Sequence, residues 1–215
     1  MKTLIIGNGK IENYLALQKY VDEAEYIICA DGGTRHGRRF GIKPDIIIGD
    51  LDSTADADFK FFKEIGVEFQ QHPVEKDKTD MEICIEKAME KSKDLVIIGA
   101  TGGRTDHYVA NLLMLSKFSE MGVDILLADE NNEIRVLTDN GKKQIEIFGT
   151  VNDYVSLIPI TERVEGVTTS GLKYELINKS LEFGSTHSVS NAFKEKSAIV
   201  KMEKGGLLVI KSKDI

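Results

Sequence analysis

The sequence predicts a two-part α/β chain: an N-terminal doubly wound, mostly parallel sheet over residues 1–130, then a C-terminal antiparallel β-sandwich over residues 131–215. Three observations predict it. Up to about residue 129 short apolar runs alternate with helical patterns. The first four of those runs lead into Gly or Asp, the residues that turn a strand toward a ligand or a helix. After residue 130 the helical period gives way to short runs separated by regular turn signals.

In the first part, "TLIIG", "EYIICAD", "DIIIGD", "DLVIIGA" and "VDILLAD" read as buried strands, with helices expected at 11–21, 33–40, 55–65, 80–92 and 105–121. Within "MEICIEKAM", Met81, Cys84, Ile85, Ala88 and Met89 share one helical stripe. In the second part, "NEIRVLT" and "KQIEIFG" alternate on either side of Asn140-Gly141, which predicts a two-residue hairpin. "YVSLIPI", "RVEGVTT", "SLEFG", "AIVKME" and "LLVIKS" follow as further strands, divided by Gly166, Gly171, Gly184 and Gly205-Gly206. No internal repeat or low-complexity linker interrupts the chain.

With 215 residues, 41% of them hydrophobic, the chain can bury a sizeable core. No apolar run approaches the ~18 residues of a membrane span, and "MKTLIIGNGK" is too short in its apolar part for a secretory signal, so the expected location is cytoplasmic, away from membranes. The net charge of −7 opposes unspecific attraction to nucleic acid, and none is expected as a partner. The basic stretch "TRHGRRFGIK", with Arg35, Arg38, Arg39 and Lys43, reads as a solvated helical face for Arg38 and Arg39. Cys29 and Cys84 fall on apolar faces and read as reduced core thiols, while His36, His72, His107 and His187 lack zinc-site spacing.

The chemistry gathers at strand ends. In "KPDIIIGDLDST" an apolar run closes on Gly49 and two carboxylates, Asp50 and Asp52. If the strand continued through them, both would emerge on one face with Cα atoms roughly 6.6 Å apart. At an effective dielectric of ~20 such a pair repels by about 2.5 kcal/mol, so something must offset it. One reading makes Asp52 or Ser53 the cap of the helix in "ADADFKFFKEI", which leaves Asp50 unexplained. The other is a divalent cation such as Mg²⁺, which takes one or two carboxylates plus substrate phosphates.

Four polar clusters follow strands and therefore converge on one rim of a parallel sheet: "GNG" at 7–9, "ADGG" at 30–33, "GDLDS" at 49–53 and "GATGGRTDH" at 99–107. Glycine lets backbone approach phosphate, and helix starts favour anions. Glu12 stands where a third dinucleotide-fold glycine belongs, and no P-loop occurs, so a nucleotide site here is of another type. Arg104 offers a planar donor fork after Gly102-Gly103, and Thr105 or Asp106 can cap the next helix. In "EKDKTDME", Thr79 and Glu82 form a capping box with Asp80 as first helical residue, and Asp80 can join Asp50 and Asp52 around a magnesium ion.

Taken in order, "ADGG", "GIKPDIIIGDLDS", "KDKTDME" and "GATGGRTDHYVANL" resemble the thiamine pyrophosphokinase family, and "GLKYEL", "FGSTHSVSN" and "GGLLVI" resemble its C-terminal domain. Each piece is weakly specific alone, and their combined order is strongly so. The resemblance spans nearly the whole chain. It implies an enzyme that transfers pyrophosphate from ATP to the thiamine hydroxyl, giving thiamine diphosphate and AMP, and a homodimer with its active site at the subunit interface. It implies a nucleotide- and metal-binding catalytic domain at 1–130 and a thiamine-binding, dimerising domain at 131–215. By the same resemblance Asp50, Asp52 and Asp80 serve Mg²⁺ and catalysis. Asp31, Gly32, Gly33, Thr101, Gly102, Gly103, Arg104 and His107 contact the nucleotide, and Ser188, Ser190 and Asn191 help form the thiamine pocket. The chain departs from the family pattern at Tyr174, where some relatives carry Trp, and at Ala192, where many bacterial relatives carry Glu.

Two rivals stand beside this reading. "DLDST" also fits the DxDxT of aspartate-nucleophile phosphatases, with Asp50 attacking phosphorus and Asp52 as acid and base. That motif normally follows the first strand of its fold, and here it follows the third. A non-catalytic nucleotide or thiamine sensor would keep the pocket and form no AMP.

Overall fold

The structure, a computed structural model, describes residues 1–213. Contacts divide the chain into two compact units, Met1–Asn111 with Leu127–Glu130, and Leu112–Leu126 with Asn131–Ile215.

The first unit alternates strand and helix as expected. It begins β1 (Lys2–Ile6), α1 (Tyr14–Asp22), β2 (Tyr26–Ala30), a single 3-10 turn (Asp31–Gly33), α2 (Thr34–Phe40) and β3 (Ile46–Gly49). It continues α3 (Asp56–Glu64), β4 (Glu68–Gln71), α4 (Asp80–Met89) and β5 (Asp94–Ile98); the next elements, α5 (Thr105–Glu120) and β6 (Asp124–Ala128), are divided between the units, Leu112–Leu126 being assigned to the second. Neighbouring strands run β5-β1-β2-β3-β4, all parallel. Their sides are buried on both faces: Leu4, Ile5, Ile6, Ile28, Cys29, Ile46, Ile47 and Ile48 have no exposed surface, which is why these strands read as continuous apolar runs. Helix α4 turns Met81, Cys84, Ile85 and Ala88 inward, as their spacing requires.

Sequence periodicity misses β4. "EFQQ" has no apolar run, because β4 lies at the end of this strand order and only half of its residues are partly shielded. The chain direction also matters. From β1 it moves outward through β2, β3 and β4, then returns to place β5 on the other side of β1. The gap beyond the carboxyl ends of β1 and β5 is thus a topological switch point, where the loops part and leave a crevice.

The second unit carries two antiparallel sheets. After β7 (Asn132–Leu137) come β8 (Gln144–Phe148), β9 (Asp153–Pro159), β10 (Arg163–Ser170), β11 (Lys179–Glu182), β12 (Asn191–Ala192), β13 (Ser197–Lys201) and β14 (Leu207–Lys213). One is the run β12-β9-β14-β7, part of a ten-stranded sheet, and the other the four-stranded sheet β11-β10-β13-β8. Val155, Leu157, Leu207 and Val209 from the first pack with Val164, Val167, Leu181 and Val200 from the second in one core. The expected hairpin at Asn140-Gly141 does not form. β7 pairs with β14 and β8 with β13, so the turn carries the chain from one sheet to the other, closed by Thr138 N–H donating to Lys142 C=O at 3.1 Å. Alternation told which faces are buried; it could not tell which strand is the partner.

Candidate active site

A cavity of about 680 Å³ opens at the switch point of the first unit. Gly7, Asn8 and Gly9 from the loop after β1 and Gly99 and Ala100 from the loop after β5 line it together with Asp31, Asp50, Asp52 and Asp80. The two loops touch through backbone: Gly7 N–H donates to Ile98 C=O at 2.8 Å and Gly9 N–H to Gly99 C=O at 2.6 Å. A β-carbon on Gly7 would meet Gly99 O at 2.6 Å, and one on Gly99 would meet Gly7 O at 2.6 Å, so neither position admits a side chain.

The acidic wall is built by level strand ends. Ala30 and Ile48 are partners in the β2–β3 register, so Asp31 and Gly49 come next on adjacent strands, and Asp50 follows. A β-carbon on Gly49 would lie 2.7 Å from the Asp31 β-carbon, so glycine there makes room for Asp31. Asp31 turns at φ 43°, a left-handed conformation that Asp tolerates. Leu51 turns at φ 68°, which is strained for a bulky residue. The strand does not continue through "DLD" in the extended form that would set the carboxylates apart on one face. It ends at Gly49, and the turn at Leu51 folds the pair back so that Asp31, Asp50 and Asp52 each offer an oxygen within 4.8 Å of the others.

This cluster has the offsets its charge demands. Asp52 N–H donates to Asp50 Oδ1 at 3.2 Å, Ser53 Oγ to Asp52 Oδ1 at 2.9 Å, and Thr54 Oγ1 to Asp31 Oδ1 at 3.1 Å. Lys76 Nζ stands 3.5 Å from Asp50 Oδ2 and 3.0 Å from Asp80 Oδ1. Burial opposes ionisation of Asp50, yet the Asp52 amide and the Lys76 ammonium outweigh it and hold its carboxyl below the usual range. Asp31 goes the other way: burial raises its pKa, against hydrogen bonds from Thr54, the Gly32 amide and Ser53. Three hard oxygen donors this close, beside Asp80, are a donor set that Mg²⁺ accepts.

Helix α3 is capped by Ala55 without a side-chain hydrogen bond, so neither Asp52 nor Ser53 caps it. Thr79 does cap α4, accepting from Glu82 N–H at 3.2 Å. Of the residues singled out by sequence, Asp31, Asp50, Asp52, Asp80, Gly102, Gly103, Arg104 and His107 line the one cavity. Gly32, Gly33 and Thr101 lie behind it, all buried, with Gly33 packed on Ile6 and the carbonyl of Thr101 beside Gly9. Arg104 closes its fork on Asp106, at 3.1 and 2.6 Å, and Asp106 Oδ1 also accepts from His107 N–H at 2.9 Å.

Ser188, Ser190 and Asn191 lie in the second unit. Ser188 Oγ donates to Leu157 C=O at 2.6 Å. Ser190, at φ 60°, donates its N–H to Ser156 Oγ at 3.0 Å. The Asn191 amide accepts from Tyr174 N–H at 3.1 Å and donates to Tyr174 C=O at 2.7 Å, and Tyr174 itself is 64% exposed. Sequence reasoning passed over Lys76, Asn8 and Asn111, whose Nδ2 donates to Ala100 C=O at 3.0 Å. For Lys76 the signal was its place four residues before Asp80 in "KDKTD".

A doubly wound α/β unit with an acidic, glycine-walled cavity at its switch point defines a class: proteins that take a ligand at the ends of parallel strands. Comparison with known proteins narrows the class. Residues 17–127 match the model of the thiamin pyrophosphokinase catalytic domain and residues 131–207 that of the thiamin pyrophosphokinase vitamin B1 binding domain. The curated thiamine pyrophosphokinase of Bacillus subtilis is 33% identical, covering 100% of both chains, and thiamine pyrophosphokinase 2 of Arabidopsis thaliana is 31% identical over 98% of this chain and 86% of its own. The crystal structure of the Bacillus subtilis protein superposes with TM-score 0.89 at 29% identity over 100% of both chains, and that of the Geobacillus thermodenitrificans protein with 0.86 at 30% over 100% and 98%. The chain belongs to the thiamin pyrophosphokinase family.

Proposed function

We propose that this chain transfers the pyrophosphoryl group of ATP to the hydroxyl of thiamine, releasing thiamine diphosphate and AMP. The observation that carries the reading is the acidic cluster of Asp31, Asp50 and Asp52 lining a cavity that is also lined by Gly7, Gly9, Gly99, Gly102 and Gly103. Family membership supplies the substrates. The thiamine hydroxyl oxygen forms a bond to the β-phosphorus as the bond from that phosphorus to the AMP oxygen breaks, AMP leaves with the electron pair, and the hydroxyl proton passes to a carboxylate of the cluster.

Magnesium, when bound, neutralises the polyphosphate and polarises the phosphorus under attack. Asp50, Asp52 and Asp80 would hold it, joined by Asp31, whose carboxylate lies close to those of Asp50 and Asp52. The remaining work is positioning, the larger part of catalysis in phosphoryl transfers. The backbone of Gly7, Gly9, Gly102 and Gly103 admits phosphate oxygens at close range, and Arg104 exchanges Asp106 for the nucleotide. Ser188, Ser190 and Asn191 border the thiamine pocket, supplied by the partner subunit of a homodimer. A cytoplasmic setting accords with the use of ATP.

Incubation with ATP, Mg²⁺ and thiamine, followed by mass analysis, yields thiamine diphosphate and AMP in equal amounts. Inorganic phosphate with phosphate trapped on Asp50 would instead mark the phosphatase, and intact ATP with bound thiamine would mark a sensor.

A further inference from the structure

The cations around the cavity are not equivalent. Lys10 pairs with Glu12, Arg35 donates to Asn8 C=O at 2.6 Å, Lys78 pairs with Glu86 at 2.8 Å and Arg104 with Asp106 at 2.6 Å. None of these partners belongs to the acidic cluster. Lys76 alone among the cavity-lining cations has its ion pairs there, reaching Asp50 and Asp80 at once while donating to Pro73 C=O at 3.0 Å. Its side chain is 15% exposed, and the ammonium is held between the two carboxylates.

Asp80 depends on that contact. Its Oδ1 is closed off from solvent and meets no hydrogen-bond donor in good geometry, so the Lys76 charge is what compensates it. Lysine suits a removable partner, being a compact charge on a flexible stem with three rotatable donors. There is also somewhere for it to go. A second cleft of about 450 Å³, lined by Gln70, His72 and Asp77, shares Lys76 as a wall residue with the first cavity.

We propose that Lys76 is a resident counter-ion that competes with a divalent cation for Asp50 and Asp80. A cation offered alone must displace an ammonium from two carboxylates and receives nothing that rehouses it. A cation offered with a polyphosphate brings oxygens that give the ammonium new partners. The site therefore discriminates against bare cations and accepts a cation and nucleotide together, which makes Lys76 a positioning residue for binding order. This inference rests on the pyrophosphokinase reading for the identity of the polyphosphate, and its test involves no turnover.

The test titrates Mn²⁺ into the full chain and into its Lys76→Met and Lys76→Arg variants, reading free Mn²⁺ by electron paramagnetic resonance, without ATP and then with ATP but no thiamine. Lys76→Met is expected to bind Mn²⁺ alone about tenfold more tightly than the parent, the scale of removing one competing charge from contact with a carboxylate. Lys76→Arg, which keeps the charge, stays near the parent, and the tightening brought by ATP is smaller in Lys76→Met than in the parent. Mn²⁺ binding to a folded Lys76→Met chain that equals or falls below the parent overturns the proposal. If circular dichroism shows Lys76→Met unfolded, Lys76→Gln, which keeps a donor for Pro73 C=O, carries the same expectation and the same refutation. Failure to form AMP in the turnover assay counts against the pyrophosphokinase reading alone, and equal Mn²⁺ affinities count against Lys76 alone.

Discussion

The rim of the first unit and the Ser188–Asn191 turn of the second are both polar and both stand out in the sequence, but they use their polar atoms differently. At the rim, Asp31, Asp50 and Asp52 keep oxygens turned toward one another and toward the cavity, at the expense of a strained Leu51 and with Lys76 to steady them. At the turn, Ser188 is tied to Leu157 and both ends of the Asn191 amide are tied to Tyr174. A polar side chain whose hydrogen bonds are all made within its own fold contributes to stability first, and to a ligand only through what it holds in place. The contrast teaches that a motif marks a site by where its donors and acceptors are left, and composition does not report that.

The comparison can be broken most decisively at Asp50. Asp50→Asn is expected to lower AMP formation by ~10²–10³-fold, the usual scale for losing one electrostatic group of a reacting centre, with the melting temperature within a few degrees of the parent. Unfolding of the variant would move Asp50 to the structural side of the divide. Next in size is Asp31, which sequence assigned to the nucleotide and the structure groups with the other two acids. Asp31→Asn should weaken Mn²⁺ binding in the presence of ATP by ~10–100-fold, on the scale seen when a metal's supporting groups are altered. An unchanged Mn²⁺ affinity with weaker ATP binding would return Asp31 to the nucleotide.

On the other side of the divide, Asn191→Ala strands the Tyr174 N–H and C=O and should cost ~1–3 kcal/mol in denaturant unfolding. Its effect on kcat is expected to be smaller than its effect on the KM for thiamine. A variant of full stability with kcat abolished would show that the turn carries reacting chemistry. The smallest effect is expected for Arg104→Lys. Its partner Asp106 is solvent-exposed, so unfolding should be unchanged while the KM for ATP rises several-fold, lysine lacking the planar fork.

Much of this was legible in the residues, for definite reasons. Strands buried on both faces must be apolar throughout, so β1, β2, β3 and β5 announce themselves, and the glycines at their ends betray close backbone approach. What escaped was whatever depends on partners distant in sequence. β4 has solvent beside it and no apolar signature. The strands around Asn140-Gly141 alternate as a hairpin would, yet pair with β14 and β13. Asp31 joins Asp50 only because β2 and β3 end level, a matter of register that neither stretch contains by itself. Lys76 reads as one lysine among several in a charged loop until its reach to two carboxylates is seen.

That shared register has a further meaning. Ile28, Cys29, Ile46, Ile47 and Ile48 are wholly enclosed, so the rails on which the acids ride are among the least deformable parts of the molecule. An incoming ligand therefore encounters a gauge already set when the sheet assembled, and whatever adjusts during a catalytic cycle must be sought in the loops and in long side chains.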